Sequence, residues 1–369
     1  MSLGLLRNFM KLKRGESNMS SRIIERKYAK KNLNTAFFPV EKVPMKYVLS
    51  GKEHTVYGYK ALVDTEHKRV LSTVTDKYRV VTNNEAYELM KPIAQGFFGG
   101  AGLSDFECFN LHIPKSRASC RIDLTRPDPE KFSFVTGRDG DKWTAFIRIN
   151  NSYNRTSRLV LQIGYCRWIC LNGVIFGASS YTLALDHTDK KLSTPDYTKK
   201  IVAEALQQVG EVGQAQKAFL DAVNPLHEIS MSKDQMGMLF CRVYGLGLTD
   251  ESVASMSAAK TKRLVDMRTR LESLTGLYAD EFSSTAYAGF NVLTDFASYP
   301  HNGQQHSVLT HTYQTRVGDW LMGFGKAVKD AGFSIDKYFT DDEVHSYELF
   351  KALVPKESEK WKEMIPKPH

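Results

Sequence analysis

The segment from Lys142 to Gly177 constrains the fold more than any other part of the chain. Two long apolar runs flank a polar turn at 150–157, and the second run, at 159–169, leads into a Cys-Leu-Asn-Gly turn at 170–173. Apolar runs bounded by turn residues are typical of paired β-strands. The segment therefore predicts a long β-hairpin. We expect three residues of its second strand to be mostly buried, namely Leu161, Ile163 and Ile169.

Shorter strand patterns precede this hairpin, and helical patterns follow it. Alternating β-formers predict strands at 55–63, 70–74, 78–81, 106–113, 119–124 and 132–136, and a helix at 84–95 that Asn83 caps. Apolar residues at helical spacing predict helices at 196–224, 250–277, 285–296 and 315–331, and one after the capping-box pair Ser232 and Gln235. The predicted fold class is α+β, with a β-rich N-terminal domain that contains the long hairpin and a mostly helical C-terminal region.

The same patterns divide the 369 residues into four parts. These are a basic flexible arm at 1–35, a β-rich α+β domain at 36–185, a helical domain at 196–345 and a polar tail at 346–369.

The net charge of +9 is concentrated in two regions. Residues 1–33 carry nine Lys and Arg against two Glu, and residues 111–170 carry eleven Lys and Arg against five acidic residues. Concentrated basic charge is typical of proteins that contact nucleic acid. A solvated basic tail with ordinary surface arginines explains the same charge and stays open.

Basic and aromatic residues alternate in the hairpin region, as they do where proteins hold single-stranded nucleic acid in a positive groove with stacking rings. The predicted nucleic-acid contacts are Arg138, Lys142, Arg148, Tyr153, Arg155, Arg158 and Arg167. Trp143 and Trp168 are further candidate stacking platforms, although a role in the hairpin core explains both equally well.

Motifs of known chemistry are not found. The chain has no phosphate-binding loop of the P-loop type, no Gly-x-Ser-x-Gly and no His-Glu-x-x-His. We therefore expect no cofactor and no metal. Catalytic residues stay unknown, and whether the protein is an enzyme stays open, although the sequence favours a non-enzymatic protein. Two groups of candidate ligands stay open. The carboxylates Asp76, Glu85, Asp139 and Asp141 are candidates for a divalent metal, and the histidines His301, His306 and His311 for a metal or a phosphate.

The five cysteines are an odd number without the spacing of a disulfide scaffold, and Cys166 and Cys170 are interpreted as buried thiols. No apolar run approaches the ~20 residues that span a bilayer. These features predict a cytoplasmic protein without membrane contact.

Three segments resemble a known family. They are 70–86, with a strand, an aromatic turn and an Asn-Glu-Ala helix start; 142–177, with a polar turn, an Arg-containing strand and a Cys-x-Asn turn; and the helix at 285–295. In these segments the chain resembles the phage- and plasmid-borne family of domain of unknown function nine-three-two. Its polar turn is Asn-Ser-Tyr-Asn-Arg, where the family pattern has a short acidic turn. The resemblance implies a mobile-element origin and a bacterial cytoplasm, and it implies no reaction.

The leading functional hypothesis is a mobile-element protein that binds nucleic acid, in particular single-stranded DNA in recombination, repair or replication. One alternative is a phage protein that binds a host factor, such as a defence-system antagonist. Another is a metal-dependent nuclease. Self-association stays open.

Overall fold

The structure is a computed structural model that describes residues 28–98, 106–128, 131–137, 141–175, 182–185, 212–300, 303–306, 308–330 and 332–354, with isolated positions between 200 and 207. Its strands are β1 (Val40–Leu49), β2 (Lys52–Asp64), β3 (Arg69–Thr75), β4 (Glu107–His112), β5 (Ser119–Thr125), β6 (Phe134–Thr136), β7 (Asp141–Ser152), β8 (Leu159–Arg167), β9 (Asn172–Ile175) and β10 (Thr182–Leu185). Its α-helices are α1 (Asn83–Phe97), α2 (Val212–Val223), α3 (Lys233–Tyr244), α4 (Asp250–Ala254), α5 (Ala258–Phe282), α6 (Ala286–Ser298), α7 (Leu309–Ala327) and α8 (Asp341–Ala352). Antiparallel sheets in the first half and helices in the second confirm the α+β class.

The strands form two antiparallel sheets within these residues. The smaller sheet has the order β1-β2-β3. The larger sheet has seven strands in the main order β10-β8-β7-β5-β4, with β6 paired to β7 and β9 paired to β8. The predicted hairpin is β7–β8, with Ile147 opposite Ile163 and Ile149 opposite Leu161.

The two faces of the larger sheet differ in character. One face carries Ile147, Ile149, Leu161 and Ile163, which belong to the main core together with apolar residues of α1. The opposite face carries polar side chains from β5, β7 and β8, and these are also buried. Successive residues of a strand point to opposite faces of the sheet. Alternate residues of the same strand therefore form the apolar face and the polar face.

The C-terminal helices pack directly on the larger sheet and share its core. Helix α6 is buried along its whole length, and Phe290 of this helix stacks on Trp143 of β7 at 5.6 Å. Phe219 of α2 stacks on Tyr165 of β8 at 4.3 Å. The predicted domain border between 185 and 196 lies outside the described residues. Among the described helices, none is both long and apolar enough to cross a bilayer.

The β1–β2 ribbon extends away from the core. Strand β3 pairs with β2 only from Tyr59 to Asp64, so the part of the ribbon before Tyr59 pairs only within itself. Its side chains are mostly exposed, and Tyr57 is 87% exposed. Strand β1 was not predicted from the sequence.

Several predicted boundaries are wrong for local reasons. Residues 78–81 form no strand; Tyr78 is instead buried against the smaller sheet. Thr82, not Asn83, caps α1, in a capping box with Glu85. The single helix predicted at 250–277 is divided into α4 and α5, because the side chain of Ser257 accepts from Lys260 N and starts a new helix. The capping box of Ser232 and Gln235 is confirmed.

Other helix limits also differ. Helix α7 begins at Leu309 and ends at Ala327, where the sequence predicted 315–331. Of the helix predicted at 196–224, the described part is mainly α2.

Both ends of the described chain are more ordered than predicted. Residues 28–36 contact β4 and the turn after β8. The amide of Lys31 donates to the carbonyl of Cys108 at 2.7 Å, and the rings of Tyr28 and Trp168 lie 5.0 Å apart, tilted by 37°. The predicted flexible arm therefore extends no further than residue 27, and residues 1–27 lie outside the described residues. Helix α8 ends at Ala352 and buries Phe350, so the predicted tail at 346–369 overlaps a packed helix.

Two isoleucines of the hairpin provide a matched test of this architecture. Ile163 is fully buried, whereas Ile169 lies after the end of β8 and is 40% exposed, contrary to the prediction. We expect Ile163→Ala to lower the free energy of unfolding by about 2–5 kcal/mol. Ile169→Ala is expected to change it by about 0.5 kcal/mol or less. Equal losses in urea denaturation would contradict the register of β8.

Candidate functional site

The structure buries three of the predicted nucleic-acid contacts, which is a correction. Arg148 and Arg167 are 1% and 2% exposed, and each forms an ion pair, with Asp123 and Asp141 respectively. Tyr153 is fully buried, and its hydroxyl accepts from the amide of Asn83 at 3.0 Å. These side chains stabilise the sheet, so they offer neither a phosphate contact nor an open ring for stacking.

Arg167 is held between two carboxylates. It donates to Asp141 at 2.7 Å and to Glu281 of α5, and its guanidinium lies 4.7 Å from the ring centroid of Phe282. This pair connects the end of β8 to the longest described helix.

The exposed members of the predicted set do not lie together. Lys142 is at the start of β7, whereas Arg155 and Arg158 are in the turn after its end. Ser152 is ten positions after Lys142 in the same strand, which corresponds to roughly 33 Å. Arg138 lies outside the described residues. Trp143 is buried, and Trp168 is half-buried against Tyr28, so the predicted stacking platforms are not open surfaces.

The polar face of the larger sheet contains two adjacent rows of side chains. In the first row, β-pairing places Asn110, Asp123, Arg148 and Gln162 opposite one another across β4, β5, β7 and β8. In the second row it places His112, Arg121 and Asn150 opposite one another across β4, β5 and β7. Sequence reasoning did not select Arg121, Asp123 or His112, although two charged residues at alternate positions of an apolar strand were a usable signal.

Arg148 is the centre of the first row. Its Nε and Nη2 donate to the two carboxylate oxygens of Asp123 at 2.6 and 2.7 Å, and its Nη1 donates to Gln314 of α7. Asn110 also donates to Asp123, at 2.6 Å. Burial by itself raises the pKa of the Asp123 carboxyl, but the guanidinium groups of Arg148 and Arg121 outweigh it and hold that pKa below its usual value.

Arg121 has no comparable acidic partner. It is 2% exposed, and it donates to the side-chain oxygen of Gln305 at 2.7 Å and, at 3.5 Å, to the carbonyl of His306. Its Nε has no hydrogen-bond partner, and it forms no ion pair with a described carboxylate. Burial, reinforced by Arg148, lowers the pKa of Arg121 to about 9. Asp123 balances only one of the two guanidinium groups, so an excess positive charge is buried here.

A pocket of about 210 Å³ lies beside Arg121. It is lined by hydroxyl, amide and imidazole groups, and none of its described lining residues is acidic. Two of the hydroxyls, Thr156 and Ser157, belong to the same turn as the exposed Arg155 and Arg158. Nε2 of His112, another lining residue, is also buried without a partner. Unsatisfied buried donors around an uncompensated cation favour an anionic ligand.

Two histidines of this pocket have strongly lowered pKa values. Burial, with the charge of Arg121, lowers the pKa of His112 to about 4. Burial, with the charges of Arg148 and Arg121, lowers the pKa of His311 to about 4. Both imidazoles are therefore neutral at pH 7 and can donate one hydrogen bond each.

The other candidate ligand groups are engaged separately. Asp76 pairs with Lys60, Glu85 is part of the α1 capping box, and Asp141 pairs with Arg167. Nδ1 of His306 accepts from the amides of Val308 and Leu309 at the start of α7. Asp139 and His301 lie outside the described residues. Among the described members, the three carboxylates thus have separate partners, and His306 is engaged at the start of α7.

Among the described residues, one group has the spacing of a metal site: Asp64, Glu66 and His67. Asp64 already accepts from Nε of Arg117 at 2.6 Å. We assign no site to this group. The five cysteines are buried free thiols, which confirms the interpretation of Cys166 and Cys170.

Comparison with known proteins identifies the family. The family model of DUF932, a domain of unknown function, matches residues 70–316. The chain belongs to the DUF932 family. This match includes the larger sheet up to β10, the polar rows and the part of α7 that carries His311 and Gln314. Comparisons of this DUF932 protein with curated proteins and with solved structures give no match.

The Arg148–Asp123 pair is expected to be indispensable for stability. Asp123→Asn leaves Arg148 buried without a carboxylate, and breaking such a pair typically costs about 3–5 kcal/mol. Replacing both partners with Asp123→Leu and Arg148→Met should cost less than the single change. The exposed pair of Lys46 and Glu53 provides the control, since Glu53→Gln should cost about 1 kcal/mol or less. Chemical denaturation measures the stability of all three variants. An Asp123→Asn protein as stable as the unaltered one would contradict the arrangement.

The low pKa of His311 predicts a dependence of stability on pH. The folded state holds this pKa at about 4, below its unfolded value of 6.5, so the unfolded state binds the proton more tightly. The contribution of the neutral His311 to the free energy of unfolding is complete above pH 6.5, and it is lost as the pH falls towards 4. Between pH 7 and 4, we expect the His311→Gln protein to lose about 3 kcal/mol less of its free energy of unfolding than the unaltered protein. Parallel curves of stability against pH for the two proteins would contradict a neutral, partly buried His311.

Proposed function

We propose that this protein binds single-stranded nucleic acid through its sugar-phosphate backbone, with one phosphate in the pocket beside Arg121. The observation that supports this most directly is the buried guanidinium of Arg121, which has no acidic partner in a pocket without acidic lining. A phosphate oxygen would satisfy its free Nε, and the neutral imidazoles and hydroxyls supply further donors.

The turn between β7 and β8 extends this pocket to the surface. Thr156 and Ser157 line the pocket, while Arg155 and Arg158 are exposed on either side of them. Neighbouring phosphates of a strand bound at Arg121 would meet these arginines. The basic charge of residues 1–33 is a further source of attraction for a polyanion.

Access to Arg121 favours a single strand over a duplex. The guanidinium is almost fully buried, so a phosphate must enter the pocket to reach it. A duplex bends only at a considerable energetic cost, whereas a single strand adapts its backbone to such a surface. With the family resemblance to phage and plasmid proteins, we place this binding in recombination, repair or replication of a mobile element, in a bacterial cytoplasm.

A second candidate function is binding of a host protein. The observation that favours it is the β1–β2 ribbon, where Val48, Leu49 and Tyr57 are 71%, 61% and 87% exposed. An isolated two-stranded ribbon is marginally stable, and exposed apolar side chains on it suit a protein surface. A nuclease has less support, because the predicted carboxylates that are described are engaged separately.

The salt dependence of binding tests the first proposal. Each phosphate contact on a single strand adds about 0.7 to the slope of log affinity against log salt. We expect the double variant Arg155→Ala, Arg158→Ala to flatten this slope by about 1.4, and Arg121→Gln to weaken binding further. Lys142→Ala removes one exposed charge at the distant end of β7 and is the matched control, with an unchanged slope.

Fluorescently labelled oligothymidylate, titrated at several salt concentrations, provides the measurement. If the intact protein does not bind it at low salt, the proposal fails and the protein-binding alternative takes its place. If Lys142→Ala flattens the slope as much as the double variant, the charge effect is general and the Arg121 pocket is not the binding site.

A further inference from the structure

A second cavity adjoins the Arg121 pocket on the same polar face. Its volume is about 160 Å³. Side chains of β4, β5, β7 and β8 line it from below, and Ser298, Tyr299 and Gln314 line it from the helical side. Ala29 and Lys31, which are exposed, line another side of it.

We propose that this cavity receives a single-ring base, a pyrimidine, of the nucleic-acid strand whose phosphate lies beside Arg121. This inference rests on the proposed function and adds a base-binding subsite to it. A strand held only by its phosphates would show no base preference. The proposed function alone and the proposed base-binding cavity therefore predict different affinities for strands with different bases.

The size of the cavity limits its occupant to about one ring. An engineered protein cavity of about 150 Å³ binds benzene, which is one six-membered ring. The present cavity is nearly the same size, so a pyrimidine base fits and the second ring of a purine does not.

The lining suits a flat ring with a polar edge. Phe109 and Phe146 provide aromatic walls, with their ring centroids 5.6 Å apart and their planes at 75°. Asn110 and Gln305 provide amide groups in the same cavity, whereas both amide atoms of Gln314 are already bound to Arg148 and Ser298. Aromatic side chains pack against bases, and Asn and Gln amides read the hydrogen-bonding edges of bases.

The two sites are close enough for one nucleotide. Arg121 lines the phosphate pocket and Asp123 lines the cavity, and these residues point to the same face of β5 two positions apart, which is about 7 Å. The hydrogen bond from Arg121 to Gln305 joins the two sites, because Gln305 lines the cavity. A phosphate at Arg121 thus positions its own or the next base at the cavity.

Oligonucleotides of equal length and charge test the inference on the full chain. We compare oligothymidylate, oligodeoxyadenylate and an abasic sugar-phosphate strand at one salt concentration. Since the contact of one base with an aromatic wall contributes about 1–3 kcal/mol, the abasic strand should bind about 5- to 150-fold more weakly than oligothymidylate. Oligothymidylate should also bind more tightly than oligodeoxyadenylate. If the pyrimidine and abasic strands bind with equal affinity, the inference of a base-binding cavity is overturned. The proposed function stays intact in that case, because both strands still bind.

A cavity-filling variant tests whether this cavity causes the base preference. Ala29→Phe puts a ring into the cavity from an exposed position and should abolish the preference for pyrimidine over abasic strands, without changing the salt slope. Asn34→Phe is the matched control, because Asn34 is exposed on the same segment and does not line the cavity. A preference that survives Ala29→Phe, in a protein with an unchanged melting temperature, means that the base lies elsewhere and overturns the inference.

Photocrosslinking gives a readout that does not depend on a variant. A strand with 5-iodouracil, irradiated on the unaltered protein, should crosslink to Phe109, Phe146 or Tyr299, as mapped by mass spectrometry. Crosslinks confined to the exposed Tyr57 or to Trp168 would overturn the inference.

Discussion

The buried hydrogen-bonded pair of Arg148 and Asp123 determines how the two halves of this protein fit together. The pair satisfies both carboxylate oxygens, and the remaining donor of Arg148 reaches Gln314 of α7. A charged group on the inner face of a sheet is strongly unfavourable unless it is paired in this way. Helix α7 therefore covers a polar face, while α1 covers the apolar face of the same strands.

This arrangement leaves one positive charge without a carboxylate. Asp123 faces both Arg148 and Arg121, but its hydrogen bonds go to Arg148 and Asn110, and Arg121 has only a side-chain amide and a backbone carbonyl as acceptors. A buried donor without a partner requires an explanation, and a bound ligand is one such explanation. The charge pattern that stabilises the sheet thus also leaves a buried cation beside a pocket, and this is where we propose that a phosphate binds.

The hairpin was predictable because its signals are local. Two apolar runs around a polar turn predicted the hairpin, and the capping box of Ser232 and Gln235 predicted the start of α3. The site was predicted less well, since a basic residue in a strand has the same local pattern whether it is exposed or buried. Arg148 and Arg167 were taken as surface contacts, yet their acidic partners lie 25 and 26 residues away along the chain, and Glu281 is 114 residues from Arg167.

By itself, the sequence determined the α+β class, the long hairpin, the capped helices and the family to which the chain belongs. Only the tertiary structure decided which charges are compensated, because ion pairing depends on β-register and on helices from the second half of the chain. It also decided the limits of β8, so that Ile163 is buried and Ile169 is exposed. Periodicity is encoded within a few neighbouring residues, whereas the burial of a charge depends on everything packed around it.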